Sequence, residues 1–440
     1  MVDDPNGALL VERHERPAIA HAIDAKRLFF ADKGKTEHPL VEIGGALQIG
    51  TPDSPVTLRT VGEPIADGLA PESGTLELLN WADYVNPETL AAFESAFGVK
   101  VNVTIYDSEE AALVKLRNGT FAPDVVLGMT DTALARLVAA ELLQPLNKSY
   151  VPNFANVISG LRDPYYDRGA QYTIPYVIYG NGIAYRTDVI DRSRFTGGDG
   201  IGAMWDAAYA GRLAVIDSYR DTIGMALVRD GVDDVNTGDE ALLRAAGESL
   251  LALRAATNPK VDIVSYQELP GGNRDIAWVW GGDALAMPMY LPEGVDPSVI
   301  GFWWPPTTVT ANDFFCIPRA STKPVLAHAL IDFLSDRDRA LANATYVGYQ
   351  PALEGIAVDQ YVAATGIPDS LTDALVTPER YAALKSGTLA ASMLSAPHSL
   401  RAEKEGFTRI AVTRDYVDVP GTAFVTHADK IKKQPQMIKR

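Results

Sequence analysis

A single cysteine, Cys316, stands in 440 residues. That excludes an internal disulfide framework and any multi-cysteine zinc or iron–sulfur centre. Only six histidines are present, and His14, His21 and His38 lie in a stretch without metal-ligand spacing, so no metal site is expected. No window approaches about 18 uninterrupted apolar residues, which excludes a transmembrane helix. Basic residues are in short supply, 39 against 56 acidic, for a net charge of −17. The chain therefore lacks the broad basic face that nucleic acid or an anionic membrane needs, and favours a cationic partner. Residues 1–45 lack the basic start and apolar run of a secretory leader. Their longest apolar piece, Ala8 to Val11, is broken by Glu12, Arg13 and Glu15. Either the chain is cytoplasmic or its leader has been removed or replaced. Also missing are a Gly-x-Ser-x-Gly elbow, a phosphate loop and a zinc-protease helix. Gly198 to Gly202 follows no convincing strand and reads as a loop.

What is there is ordinary globular material. The composition is 47% apolar and 22% charged, enough for two or three packed domains. Residues 1–74 are polar and rich in Gly and Pro, and read as an extension outside the core. From Thr75 the texture changes. Thr75 to Leu79 reads as a strand, and Asn86-Pro87-Glu88 as a helix start with an Asn cap, Pro in the first turn and a following acid. Gly98 stops that helix. Val99 to Tyr106 is a β-branched strand, and Ser108 caps a helix running to Asn118. Asp124 to Leu127 is a third strand, with a helix over 131–142. This alternation predicts an α/β fold with right-handed crossovers and a mostly parallel sheet. A second α/β unit follows, with strands at Leu213 to Ile216, Ile276 to Trp280 and Phe314 to Ile317. Its helices start at Thr222, Glu240 and Pro324. Cys316 reads as a buried core thiol, and the basic residues near the C-terminus as solvated.

Ligands of such sheets sit outside the carboxyl ends of the strands. Those ends carry Trp81, Asp83 and Tyr84, then Ser218 and Asp221, then Trp280 and Asp283. Asp313 lies at the last strand and Tyr349 in Gly348-Tyr349-Gln350-Pro351. Carboxylates interleaved with aromatics suit a flexible organic polycation. Each ammonium needs an anionic acceptor, and the methylenes between need apolar walls. Ring faces supply a wall and a cation–π attraction of about 0.5–2 kcal/mol. Each of these residues also has a plainer reading, the aromatics as core and the acids as caps or solvated loop groups. Their joint placement at strand ends favours a site.

These motifs, in this order, resemble the spermidine/putrescine-binding periplasmic proteins, receptors of polyamine ABC importers. The resemblance rests on Asn80-Trp81-Ala82-Asp83-Tyr84-Val85-Asn86-Pro87 and Leu142-Leu143-Gln144-Pro145-Leu146-Asn147. It continues through Ile174-Pro175-Tyr176, Gly182-Ile183-Ala184-Tyr185 and Asp217-Ser218-Tyr219-Arg220-Asp221. Trp280-Gly281-Gly282-Asp283 and Val347-Gly348-Tyr349 complete it, over roughly residues 75–382. It implies a two-lobed type II periplasmic-binding-protein fold, each lobe a mostly parallel sheet flanked by helices, joined by a two-strand hinge. Lobe 1 would comprise 75–180 with a return segment 312–345, and lobe 2 would comprise 181–311 with 346–382. It implies ligand-binding roles for Trp81, Asp83, Tyr84, Thr130, Asp221, Ser265, Trp280, Asp283, Asp313 and Tyr349. It implies no catalytic residue, no cofactor and no metal. The implied partners are a polyamine, putrescine or spermidine, and an ABC permease, with no nucleic acid; the implied state is a monomer and the implied location extracytoplasmic.

The sequence departs from the family at several positions. Ala311 stands where an aromatic commonly precedes the hinge aspartate, and Thr132 where a tyrosine can occur, so two walls are missing. Ser218 replaces an acid of the spermidine type. Glu141 replaces a usual glycine. Residues 383–440 depart altogether and resemble, over a short stretch, the thiamine-precursor and taurine type of solute-binding protein. A receptor for another solute, and a cytoplasmic enzyme or sensor on the same fold, are the alternatives.

Overall fold

The computed structural model describes residues 58, 60–119, 121–195, 199–232, 235, 237 and 239–376, and three later strands. The first unit runs β1 (Thr75–Asn80), α1 (Pro87–Phe97), β2 (Lys100–Ile105), α2 (Glu109–Arg117), β3 (Val125–Met129) and α3 (Asp131–Ala139). Its local signals work as read. The Asn86 side chain accepts the Glu88 N–H at 2.9 Å, and Gly98 closes α1 in the left-handed region at φ 66°. Ser108 caps α2 through the Ala111 N–H at 3.2 Å.

The long strand β4 (Ile174–Arg186) leads into β5 (Leu213–Ile216), α4 (Tyr219–Arg229), α5 (Glu240–Thr257) and β6 (Lys260–Asp262). Then come α6 (Ser265–Glu268), β7 (Ile276–Trp280), α7 (Gly281–Ala286), β8 (Ile300–Trp303) and β9 (Thr310–Cys316). The chain continues through α8 (Pro324–Leu334), α9 (Arg337–Val347), β10 (Gln350–Pro351) and α10 (Val358–Thr365).

Strand order is β2-β1-β3-β9-β4-β7-β5-β6, with β8 and β10 also on β4. Pairs β1–β2, β1–β3, β5–β6 and β5–β7 are parallel, and β3–β9 and β4–β9 antiparallel. β4 changes partner along its length. Ile174 to Gly180 pair with β9, and Asn181 to Tyr185 pair with β7. Gly180–Asn181 is thus where the chain passes from one lobe to the other. The return crossing lies alongside, with the Asn181 N–H on the Val309 carbonyl at 2.8 Å. This is the expected two-lobed type II fold with two crossing segments, but its sheet is mixed rather than mostly parallel, because the crossing strands β4 and β9 pair antiparallel with their neighbours.

Side chains alternate across each sheet, so each lobe has a core on both faces. In the first, Leu76, Leu78, Val125 and Leu127 face one core while Leu79 and Val126 face the other. In the second, Ile183, Leu213 and Trp278 oppose Ala184, Ala214 and Ala277. Cys316 is fully buried in the first lobe, as its apolar strand predicted.

Two further expectations change. The described part of the N-terminal stretch is mostly exposed, as expected of an extension, but it is attached to the first lobe. Leu58 is buried with Tyr172 and Cys316. Glu72 accepts the Leu326 N–H at 2.8 Å and the Val325 N–H at 3.2 Å, capping α8. A polar, Gly- and Pro-rich composition shows that such a stretch builds no core of its own, not which neighbour it caps. The third helix ends at Ala139, short of 142, because Glu141 turns left-handed at φ 56°. That conformation is the physical reason a glycine is usual there. In the C-terminal region, β11 (Ala391–Ser395), β12 (Thr408–Val412) and β13 (Thr422–Thr426) form an antiparallel sheet in the order β11-β13-β12. The other segments on which the thiamine-type resemblance rests lie outside the described residues.

Candidate functional site

Residues just past β1, β5 and β7, the crossing strands β4 and β9, and the loop before β10 meet at one place. Asp313 enters from β9 and is buried, accepting the Tyr84 hydroxyl at 2.6 Å and the Tyr179 hydroxyl at 2.9 Å. Tyr84 stands in the loop after β1, and Tyr179 on β4 one residue before the crossover. Asp283 lies in the first turn of α7, just past β7, and accepts the Tyr349 hydroxyl at 2.7 Å. The Tyr349 ring meets Tyr84 edge-on at 5.1 Å and Tyr179 at 5.5 Å. The two acid–tyrosine units therefore share one aromatic cluster. Glycine permits the approach. A Cβ on Gly282 would meet the Tyr349 ring at 2.2 Å.

Burial sets the charge state. It pushes Asp283 up to about 7, against the Tyr349 hydrogen bond, with Asp262 and Asp221 adding repulsion. Asp313 is pushed up to about 6 by burial, although Tyr84 and Tyr179 hydrogen bonds oppose it, and Asp221 adds to the rise. Tyr84, Tyr179 and Tyr349 are held well above the usual phenol range by burial and by the neighbouring carboxylates. They remain donors at any ordinary pH. Two buried carboxylates that each feel the partly buried Asp221 are electrostatically expensive unless a cation joins them.

Asp221, in the first turn of α4, is held from the crossover. The Asn181 amide donates to its Oδ1 at 2.6 Å. The Asn181 Oδ1 itself has no partner, although the residue is wholly buried. A buried acceptor left open costs about 1–3 kcal/mol, and a ligand ammonium or a water supplies the missing donor. Trp280 is half-buried and packs against cores of both lobes, so its position spans the interlobe boundary. Arg220, beside Asp221, has its charge opposed by burial and supported by Asp131 of the first lobe and by Asp221.

The sequence-predicted residues separate into three groups. Tyr84, Asp221, Trp280, Asp283, Asp313 and Tyr349 converge at this place. Asp83 is exposed, adopts φ 53°, and accepts the Tyr346 hydroxyl at 3.3 Å, at the outer side. Trp81, Thr130 and Ser265 have structural attachments. The Trp81 indole donates to the Gly128 carbonyl at 2.8 Å and its ring lies 4.6 Å from Tyr106. A Cβ on Gly128 would meet Trp81 at 2.4 Å. The Thr130 hydroxyl donates to Glu109 at 2.8 Å, and Ser265 donates to Asp262 at 3.2 Å. Tyr179 and Asn181 were not singled out from sequence. Their only signal is their place between Tyr176 and Gly182 in two of the quoted motifs.

Among the described residues, no cluster of three or more His, Cys, Asp or Glu is arranged to hold a metal ion. No described helix is long and apolar enough to cross a membrane.

Residues 88–368 match the family described as bacterial extracellular solute-binding protein. The chain belongs to that family. The match spans both lobes and both crossings, and it is a family of binding receptors. Among individual relatives, the spermidine/putrescine-binding periplasmic protein of Salmonella typhimurium is 29% identical over 288 residues, covering 64% of this chain and 78% of its own. A putrescine/cadaverine-binding protein of Pseudomonas aeruginosa is 28% identical over 321 residues, covering 69% and 87%. A solved spermidine/putrescine ABC transporter protein of Listeria monocytogenes superposes with TM-score 0.58 at 25% identity, covering 68% of this chain and 88% of its own.

Proposed function

We propose that this solute-binding protein captures a protonated polyamine, putrescine or spermidine, outside the cytoplasm and delivers it to an ABC importer. The observation that carries the reading is the pairing of two buried acids, Asp283 and Asp313, with tyrosine donors in one aromatic cluster. An aliphatic ammonium completes that arrangement. It neutralises carboxylates that burial otherwise protonates, and its methylenes lie against Trp280 and the tyrosine rings. Asp221 and the open Asn181 side-chain oxygen, Oδ1, offer further acceptors. No bond is made or broken. Ligands from both lobes favour the closed form by their differential contacts, and the closed form is what a permease would read. The relatives' names support polyamine as the solute class and an extracytoplasmic location.

Calorimetric titration with putrescine, spermidine, spermine and a thiamine precursor tests the reading. At least one polyamine binds with micromolar or tighter affinity. No measurable binding of any polyamine, whether or not the thiamine precursor binds, would reject it.

A further inference from the structure

One buried histidine lies under the attachment of the N-terminal stretch. His328 belongs to α8 and is wholly buried. Its Nε2 accepts the Asn147 backbone N–H at 3.0 Å, and its Nδ1 lies 2.6 Å from the Pro324 carbonyl. A peptide N–H can only donate and a carbonyl can only accept. The proton is therefore on Nδ1, and Nε2 carries the lone pair. Both bonds exist together only in the neutral ring.

Asn147 opens a single 3-10 turn, Lys148–Tyr150, and caps it by accepting the Ser149 N–H at 3.0 Å. That turn fastens residues 65–69. The Asn147 amide donates to the Ile65 carbonyl and to Asp67, each at 2.8 Å. The Ser149 hydroxyl donates to Asp67 at 2.6 Å. The Tyr150 hydroxyl donates to the Ala66 carbonyl at 2.7 Å and accepts the Leu69 N–H at 2.7 Å. Ala66 to Leu69 are exposed, so these bonds, rather than packing, hold them to the first lobe.

A second proton on the ring would set a donor against the Asn147 N–H in a place closed to water. Burial opposes that proton, while the Pro324 bond and the Glu72 charge favour it, and the balance leaves the ring below its ordinary value of 6.5. A histidine lowered on folding gives stability that is present at neutral pH and is lost as pH falls below its unfolded value, about 6.5. The other polar groups near it are Asp67 from the extension, Lys148 and Tyr150 from the turn, and Asp332 one turn further along α8. The Tyr150 ring lies 5.8 Å from the imidazole, and the Lys148 amine is held on the Gly169 carbonyl. Asp67 is kept below the usual carboxylate range by its Ser149 and Asn147 bonds.

We propose that His328 is an acid-released clasp: its protonation removes the acceptor of the Asn147 N–H, loosens the Lys148–Tyr150 turn and frees residues 65–69 from the first lobe. The device stands apart from the polyamine reading, because none of its residues is among those that meet between the lobes. The attachments of Leu58 and Glu72 on either side do not depend on the turn.

A spin label on Ala70→Cys tests the clasp, since Ala70 is exposed and the native Cys316 is buried. Between about pH 8 and pH 5 the label gains a mobile component in the paramagnetic resonance spectrum, centred below about pH 6.5. His328→Gln, whose side-chain oxygen accepts the same N–H without titrating, shows no such component, and circular dichroism verifies the fold of both proteins. Tyr150→Phe, which removes two of the fastening bonds, shows the mobile component already at about pH 8. A label equally immobile at both ends of the range, or the same change in His328→Gln, overturns the proposal. Should His328→Gln not fold, hydrogen exchange on the unmodified chain gives the answer. The Asn147 and Leu69 amides then lose protection together, at least about tenfold after correction for intrinsic rates. A Leu69 amide still protected at the acid end overturns the clasp.

Discussion

Tyr349 donates its hydroxyl to Asp283 at 2.7 Å, and a single glycine, Gly282, leaves the room for its ring. Asp283 follows a strand of the second lobe, while the Tyr349 ring packs on Tyr84 and Tyr179 of the first-lobe core. One hydrogen bond therefore couples an acid on one lobe to an aromatic cluster on the other. A buried acid so placed is costly without a cation and useful with one.

Asp283→Ala is expected to weaken polyamine binding at least tenfold, about 1.4 kcal/mol, read by calorimetry. Asp283→Asn is also expected to raise the melting temperature of the ligand-free protein at pH 8, where the buried charge is present. At pH 5 the native carboxyl is protonated and the difference shrinks. Equal stability of the two proteins at pH 8 would contradict this account of the charge.

Ligand binding is expected to release protons near neutral pH. Asp283 titrates at about 7 and Asp313 at about 6 in the free protein, both raised first by burial. A dication favours their ionised forms, so affinity rises between pH 5.5 and 8. Asp221 and Asp262, with the hydroxyls of Tyr349, Tyr84 and Tyr179, face these acids. The same shifts act oppositely on the free protein. A carboxyl whose folded value is raised stabilises most below its unfolded value near 3.8 and loses that contribution as pH climbs through 6–7. Titrations in buffers of different ionisation enthalpy measure the released protons; a count of zero at pH 6.5 would be inconsistent with this.

Gly128→Ala is expected to destabilise the first lobe by about 1–3 kcal/mol. Gly128 sits at φ 88°, and a Cβ there would overlap the Trp81 ring at 2.4 Å. Displacing the indole from the Gly128 carbonyl should shift its fluorescence. An unchanged spectrum and midpoint in urea would show that the contact is unimportant.

Glu141→Gly is expected to stabilise the protein by about 0.5–1 kcal/mol, because glycine relieves the left-handed strain but loses more chain entropy on folding. The Arg319–Glu141 pair at 3.6 Å is exposed, so its loss matters little. Polyamine affinity should not change. Urea denaturation verifies the sign.

Local physics made much of the fold legible. Asn86, Pro87 and Gly98 bound α1 as caps and breakers do anywhere, and strand ends gave Asp221, Trp280 and Asp283 their place. Composition could not show how the N-terminal stretch packs, because Glu72 caps α8 across 254 residues of sequence separation. Tyr179 and Asn181 escaped notice because their partners are fixed by the switch of β4 from β9 to β7, a long-range pairing. Thr130 carried a suitable hydroxyl, but Glu109 holds it.

The most direct measurement is a structure of the chain grown with the tightest-binding polyamine. One ammonium nitrogen is predicted within hydrogen-bond distance of Asp283, with methylenes against the Trp280 ring and the open Asn181 Oδ1 occupied or bridged. A polyamine found elsewhere, with Asp283 and Asp313 still holding only their tyrosines, would contradict the account.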